Sequence, residues 1–214
     1  MAKYPIYLEL QGRRVVLVGG GPVAFRKAET LVQAGARLVV VAPAFCPALE
    51  DLCLQGRAEM IRARYEKAYI GPAVLVIAAT DDRAVNERVY GHCQELGILC
   101  NAVDQPDLCD FYVPAVVQRG ALQIAIGTDG RCPAFAGHVR QRLERLFTEQ
   151  HGRFLEQLQW ARQQAIKRLS DPDLRKAVMG HLVGDASFET LVRDGVETWR
   201  ARAIEAIAAA HKSS

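Results

Sequence analysis

Short unbroken apolar runs alternate, through the first half of the chain, with longer stretches in which apolar residues recur every three or four positions. Val15 to Val18, Leu38 to Val41, Val74 to Thr80 and Ile98 to Val103 are the apolar runs, of the kind expected for parallel strands covered on both faces. Glu59 to Tyr65 reads as a further strand, third in chain order. Between them, Pro22 to about Gln33 and Ala48 to Gln55 read as helices. A third helix runs to about Leu96 behind the capping cluster Thr80-Asp81-Asp82. Gly35 and Pro43 supply breaks, and Tyr4 to Leu10 is a short extended lead-in turned by Gln11-Gly12-Arg13. Strand and helix taken in turn predict a right-handed, doubly wound parallel sheet.

Beyond about residue 112 the pattern changes. Phe111 to Val117 and Leu122 to Ile126 read as two strands joined by Gln118-Arg119-Gly120-Ala121, a hairpin in place of another crossover. Pro133 opens a long helix with Val139, Leu143, Leu146 and Phe147 on one face. Phe154, Leu158, Ala161, Ala165 and Leu169 mark a second helix. After a break at Asp171-Pro172-Asp173, Val192, Val196, Trp199, Ala203 and Ile207 mark a last one. The predicted organisation is therefore a sheet domain over residues 1–112, a hairpin and helix over 113–150, and a small C-terminal helical module over 151–214. A hairpin that leaves the sheet and is followed by amphipathic helices is suited to burying surface against a second copy, so the middle segment predicts a homodimer.

The first strand runs straight into Gly19-Gly20-Gly21-Pro22-Val23-Ala24. Strand, glycine turn and helix in this order form a dinucleotide-binding unit, which makes the first domain Rossmann-like and predicts NAD as cofactor. Gly19 suits the turn, Gly21 lets backbone approach a pyrophosphate, and Ala24 is the small residue where helix packs on strand. Pro22 is tolerated in the first helical turn, where its missing N–H has no partner to lose. The open N–H groups and the positive helix end favour an anion. Thr80, at the end of the strand expected beside this loop, joins the cofactor set. The other reading is a tight turn that holds no ligand. The second strand ends Val41-Ala42-Pro43-Ala44, without the acid or arginine expected at the adenosine ribose. The ribose is therefore expected to be held by backbone, and this rule does not separate NAD from NADP.

Composition narrows the partners. A net charge of +3 over 214 residues, with no basic run, gives no case for nucleic acid. No apolar run approaches the roughly 20 residues of a membrane span, and Glu9 interrupts the short apolar start. Six cysteines lie apart without a C-x-x-C pair, and the five histidines are scattered, so no metal site is expected. Cys46, Cys53, Cys93 and Cys100 fall within predicted strands or helices as small apolar residues. The expectation is a thiol-reduced, cytoplasmic protein.

Several segments together carry a resemblance. They are Pro5-Ile6-Tyr7-Leu8, Val18 to Ala24 with Arg26-Lys27-Ala28, Ala78-Ala79-Thr80-Asp81-Asp82 with Val85-Asn86, Asn101-Ala102-Val103-Asp104, Phe111-Tyr112-Val113-Pro114-Ala115, and Thr128-Asp129-Gly130 before Pro133. Over about residues 4–150 the chain resembles the precorrin-2 dehydrogenase family, the dehydrogenase/ferrochelatase module of siroheme synthase. The resemblance implies NAD-dependent oxidation of the tetrapyrrole precorrin-2 to sirohydrochlorin. Some family members also insert ferrous iron, which makes Fe2+ a second substrate there. It further implies that Pro22, Val23, Pro43 and Ala44 touch NAD, that Asp104 is the important aspartate, and that Thr128 lies near the site. Some relatives fuse this module to a methyltransferase domain; the expectation here is a chain without it, with the upstream methylation supplied by a separate protein. Cys132 stands where many relatives have Ser, which weakens both a helix cap and any contact through that side chain.

Loss of a hydride from the macrocycle must be matched by loss of a proton, and a strand-end carboxylate can take it, so Asp104 is the expected base. Its other reading is a turn-forming aspartate before Gln105-Pro106. Asp107 and Asp110 read as solvated loop carboxylates. Arg119, Arg131, His138 and Arg140 are candidates for the substrate's carboxylates, with Arg131 and His138 kept alongside Thr128 as substrate contacts. Solvated helix-face arginines and a packed His138 are the plainer readings. A different class of function also fits the first half of the chain: a regulatory module that senses NAD and signals through its helical tail. The Asn101–Asp104 motif and the Thr128 loop argue against it, because a sensor has no use for a carboxylate facing the nicotinamide.

Overall fold

The computed structural model describes residues 3–212, which divide after residue 113 into two compact units. In the first unit, β1 (Arg14–Val18), β2 (Arg37–Ala42), β3 (Glu59–Arg62), β4 (Leu75–Ala78) and β5 (Leu99–Ala102) form one sheet in the order β3-β2-β1-β4-β5. Every pairing in it is parallel. Helices α1 (Pro22–Gln33) and α2 (Pro47–Leu54) pack on one face, with Ala24, Ala28, Leu31, Leu49 and Leu52 against Val15, Leu17, Leu38 and Val40. Helix α3 (Arg83–Leu96) covers the other face, where Val89 and Cys93 meet Val16, Val39, Val76 and Cys100. Two covered faces explain why the strands are continuous apolar runs and not alternating ones. The chain winds one way from β1 to β3 and the other way from β4 to β5. The order therefore reverses between β1 and β4, the place where open α/β sheets hold ligands.

The second unit begins with the antiparallel pair β6 (Ala115–Arg119) and β7 (Leu122–Ile126). Helices α4 (Pro133–Leu146), α5 (Glu149–Arg168), α6 (Pro172–Leu182) and α7 (Asp185–Lys212) follow. A core of Phe154, Ala161, Ala165, Leu182, Leu191, Ala203 and Ile207 surrounds the buried Trp199, whose indole N–H donates to Ser187 Oγ at 2.8 Å. Among the described residues, no helix is long and apolar enough to cross a membrane.

Several boundaries depart from the sequence expectation. β3 ends at Arg62, short of the expected Tyr65, and a 3-10 turn follows at Lys67–Tyr69. Phe111 lies outside β6 and packs into the core of the first unit. Cys46 stands at the N-cap of α2 rather than within a helix. Helix α6 stands where the sequence predicts a break. Asp171 is in fact its N-cap, accepting from the Asp173 N–H at 2.8 Å, and Pro172 opens its first turn. Asp-Pro here starts a helix. Helix α7 bends at Gly195 (φ 84°), so Val192 and Val196 fall on either side of the kink and are exposed. Leu146, expected on the buried face of α4, is 66% exposed.

Candidate active site

The glycine turn at the carboxyl end of β1 is built by three different constraints. Gly19 has φ 136°, and a Cβ there would lie 2.3 Å from the Ala79 carbonyl oxygen at the end of β4. Its own N–H donates to the Val41 carbonyl at the end of β2. A Cβ on Gly20 would lie 1.8 Å from the Ala44 oxygen, and the Gly20 carbonyl accepts from the Cys46 N–H at 2.7 Å. The loops after β1, β2 and β4 are thus locked together by backbone alone. Gly21 differs: it is the N-cap of α1 at φ −84°, and a Cβ there would meet nothing within 4 Å. No side chain caps α1, and no acid stands in its first turn. The open Gly21 and the uncapped positive helix end together fit a pyrophosphate. Pro22 and Val23 occupy that first turn, and Pro43 and Ala44 lie in the loop locked to it.

Thr80 does different work from a free cofactor ligand. Its hydroxyl lies 2.7 Å from Oδ1 of the fully buried Asn86, whose amide donates back to the Thr80 carbonyl at 3.1 Å. With Asp82 capping the Ala84 and Val85 N–H groups, this latch fixes the turn from β4 into α3. Asn86, quoted in the sequence only as part of a motif, is the buried residue that holds the turn.

Asp104 follows β5 on the same edge of the sheet. It is exposed, and its φ of 59° makes it one of two non-glycine residues with positive φ among those described. The turn is closed by the Gln105 N–H donating to the Ala102 carbonyl, and the Cys109 thiol lies 3.2 Å from both the Ala102 and Gln105 carbonyl oxygens. Asn101 Nδ2 donates to the Phe111 carbonyl at 2.8 Å. A strained aspartate held by this many braces costs of order 1 kcal/mol, a conformation that persists only where its surroundings enforce it. Across the edge, Lys27 on α1 is half-buried. Burial, followed by its neighbour Arg26, lowers its pKa from the usual lysine value, while the Asp104 carboxylate opposes the shift. Asp104 and the second turn of α1 are therefore within electrostatic reach.

Asp110 corrects the expectation of a solvated loop carboxylate. It accepts from the Cys100 N–H at 2.8 Å and from the Gln94 amide at 3.0 Å, tying β5 to α3. In the core beside it, a hydrogen bond between the thiols raises the pKa of Cys100 and lowers that of Cys93.

In the second unit, Thr128 is half-buried and its carbonyl accepts from the Arg131 N–H. Asp129 has φ 55°, and its carboxylate stands 4.0 Å from the exposed Arg131 guanidinium. His138 is exposed, which overturns its reading as a packed histidine. Arg119 is not a free cation: it donates to the Phe147 and Glu144 carbonyls, closing the C-terminal end of α4. Arg140 pairs with Glu144. Cys132 provides no side-chain cap to α4. Among the described residues, no group of three or more His, Cys, Asp or Glu is placed to hold a metal ion.

The sequence reading also passed over a cluster beside the loop that follows β2, made of Phe45, Glu50 and Arg62. Arg62 pairs in register with Ala42, and its guanidinium lies over the Phe45 ring at 5.2 Å while bonded to Glu50 in the first turn of α2. An arginine thus reaches the end of β2 from the neighbouring strand. Extending the β2–β3 pairing by register was the one signal available for it.

A parallel sheet with a glycine turn and an open helix end at its switch point defines a dinucleotide-binding domain. Residues 6–115 match the family described as "Putative NAD(P)-binding", and the chain belongs to that family. Residues 119–146 match a second family, "Sirohaem biosynthesis protein central". The chain is 39% identical over 173 residues to a siroheme synthase of Thioalkalivibrio sulfidiphilus, covering 81% of this chain and 35% of that protein. It is 39% identical over 176 residues to a siroheme synthase of Chromobacterium violaceum, covering 82% and 37%. It therefore spans about a third of these curated relatives. Its fold is shared with the solved structure of SirC, precorrin-2 dehydrogenase, at a TM-score of 0.80 and 24% identity, over 95% of this chain and all of that one.

Proposed function

We propose that the chain oxidises precorrin-2 to sirohydrochlorin with NAD as hydride acceptor. The observation that carries this reading is the juxtaposition, on one edge of the sheet, of an uncapped, acid-free helix start at Gly21 and the braced Asp104 carboxylate. The similarity to siroheme synthases over most of the chain supports the choice of substrate. NAD, when bound, supplies the acceptor for the hydride. Gly21, Pro22 and Val23 hold its pyrophosphate against α1, and Pro43 and Ala44 border its adenosine half. Gly19 shapes the turn, and Thr80 stiffens the floor through Asn86. Asp104 takes the proton that leaves as the hydride departs, so one hydride and one proton account for the two electrons and two protons lost.

Thr128, Arg131 and His138 are proposed as contacts to the substrate's carboxylates. The same Asp104 carboxylate is proposed to relay, one after the other, the two pyrrole protons displaced when ferrous iron enters the product. A homodimer is supported by the exposed apolar Val116 on β6 and Phe135 and Leu146 on α4.

The test is Asp104→Ala. Its side chain is exposed, so the fold should persist while dehydrogenation falls about a hundredfold, the lower end of what a positioned base contributes. A folded variant that turns over at the wild-type rate contradicts the assignment. Reversible NAD binding without turnover by the wild-type protein would instead favour the sensor.

A further inference from the structure

The loop after β2 carries neither acid nor arginine, but three side chains from neighbouring elements converge on it. Phe45 is anchored between Ala44, which touches Gly20, and Cys46, whose N–H bonds to the Gly20 carbonyl. Arg62 arrives from the end of β3, where its residue pairs with Ala42, and lays its guanidinium over the Phe45 ring. Glu50, in the first turn of α2, holds that guanidinium by a hydrogen-bonded ion pair. Met60 Sδ, one strand position pair earlier on the same face of β3, lies 3.9 Å from the same guanidinium nitrogen. Both charged side chains are partly exposed, Arg62 at 47% and Glu50 at 37%, so the pair faces solvent at the rim and is not part of the core.

The position of this pair decides what it meets. With phosphates on the glycine turn, the adenosine of a bound dinucleotide extends over the carboxyl ends of β2 and its neighbour. We propose that Glu50 and Arg62, set on Phe45, read the ribose 2′ position of the dinucleotide and select NAD over NADP. The inference rests on the cofactor reading given above and deepens it. A ribose diol finds an acceptor in Glu50 and donors in Arg62, and carries no charge of its own. A 2′-phosphate brings close to two negative charges to an arginine that is already neutralised and to a carboxylate that repels it. Glu50 is therefore the discriminating residue. Arg62 is the latent phosphate ligand that Glu50 keeps occupied.

The experiment measures dissociation constants for NAD and NADP with the wild-type chain, Glu50→Gln, and the double variant Glu50→Gln/Arg62→Gln. The wild-type protein should bind NAD more tightly. Glu50→Gln should move the affinity ratio toward NADP by about threefold to fivefold, the scale of one screened charge at a rim. The double variant should lose that shift, because the freed guanidinium is gone. Competition against NAD in the wild-type protein needs no variant: adenosine 2′,5′-bisphosphate should compete less well than 5′-AMP, and the gap should narrow with added salt. Equal wild-type affinity for NAD and NADP overturns the proposal, as does a ratio unmoved in Glu50→Gln. If neither dinucleotide binds the wild-type chain, the cofactor reading falls along with it. NAD binding with an unmoved ratio removes only the roles of Glu50 and Arg62.

Discussion

The three glycines of the turn look alike in sequence and are not alike in the molecule. Gly19 and Gly20 are demanded by protein: a Cβ on either would strike a backbone oxygen of a neighbouring loop. Gly21 faces open space at an ordinary φ, so nothing in the chain itself requires it. Gly19→Ala is expected to cost about 2–3 kcal/mol and to show in the melting curve. Gly21→Asp should melt like the wild type and bind NAD about tenfold or more weakly, through bulk and like charge against the pyrophosphate. Weakened folding in Gly21→Asp, or undiminished NAD affinity, would separate that residue from the cofactor. The glycine motif was legible from sequence because a strand, a turn and a helix are contiguous. Arg62 was not, because it reaches Phe45 through its register with Ala42 and not through nearness in sequence. Asp110 and Arg119 are illegible for a related reason: backbone groups are among the partners of each, and no side-chain pattern reveals those.

At the scale of elements, apolar runs placed four of the five parallel strands, because burial on both faces leaves few polar residues to blur them, whereas β3 at the sheet edge is only partly buried and carries Glu59 and Arg62. The second unit was harder. Its helices are polar on most of their surface, and α6 begins with the same Asp-Pro that can end a helix. Close backbone approach also hides in it. Gly152, within α5, lies against the β6–β7 turn, where a Cβ would sit 2.6 Å from the Arg119 carbonyl oxygen. Gly152→Ala is thus expected to destabilise the second unit by about 1–3 kcal/mol, although alanine is the better helix former. A rise in melting temperature would show that the helix can shift away from the turn at little cost.

At the scale of the whole molecule, the chain joins a dinucleotide-binding unit to a ribbon-and-helix unit, and matches an NAD(P)-binding family and then a sirohaem-biosynthesis family in that order. The ribbon, with apolar Val116 exposed on it, predicts a dimer in sedimentation equilibrium. Val116→Lys should shift the equilibrium toward monomer, and a wild-type protein that stays monomeric at every concentration would refute that surface role. The central claim concerns the chemistry. It is tested most directly by an anaerobic assay of the wild-type chain with precorrin-2 and NAD, watching the macrocycle and NADH absorbances together. The account predicts that the sirohydrochlorin spectrum grows only when NAD is present, one NADH appearing for each macrocycle oxidised. NAD binding with neither absorbance moving above the enzyme-free control would contradict it.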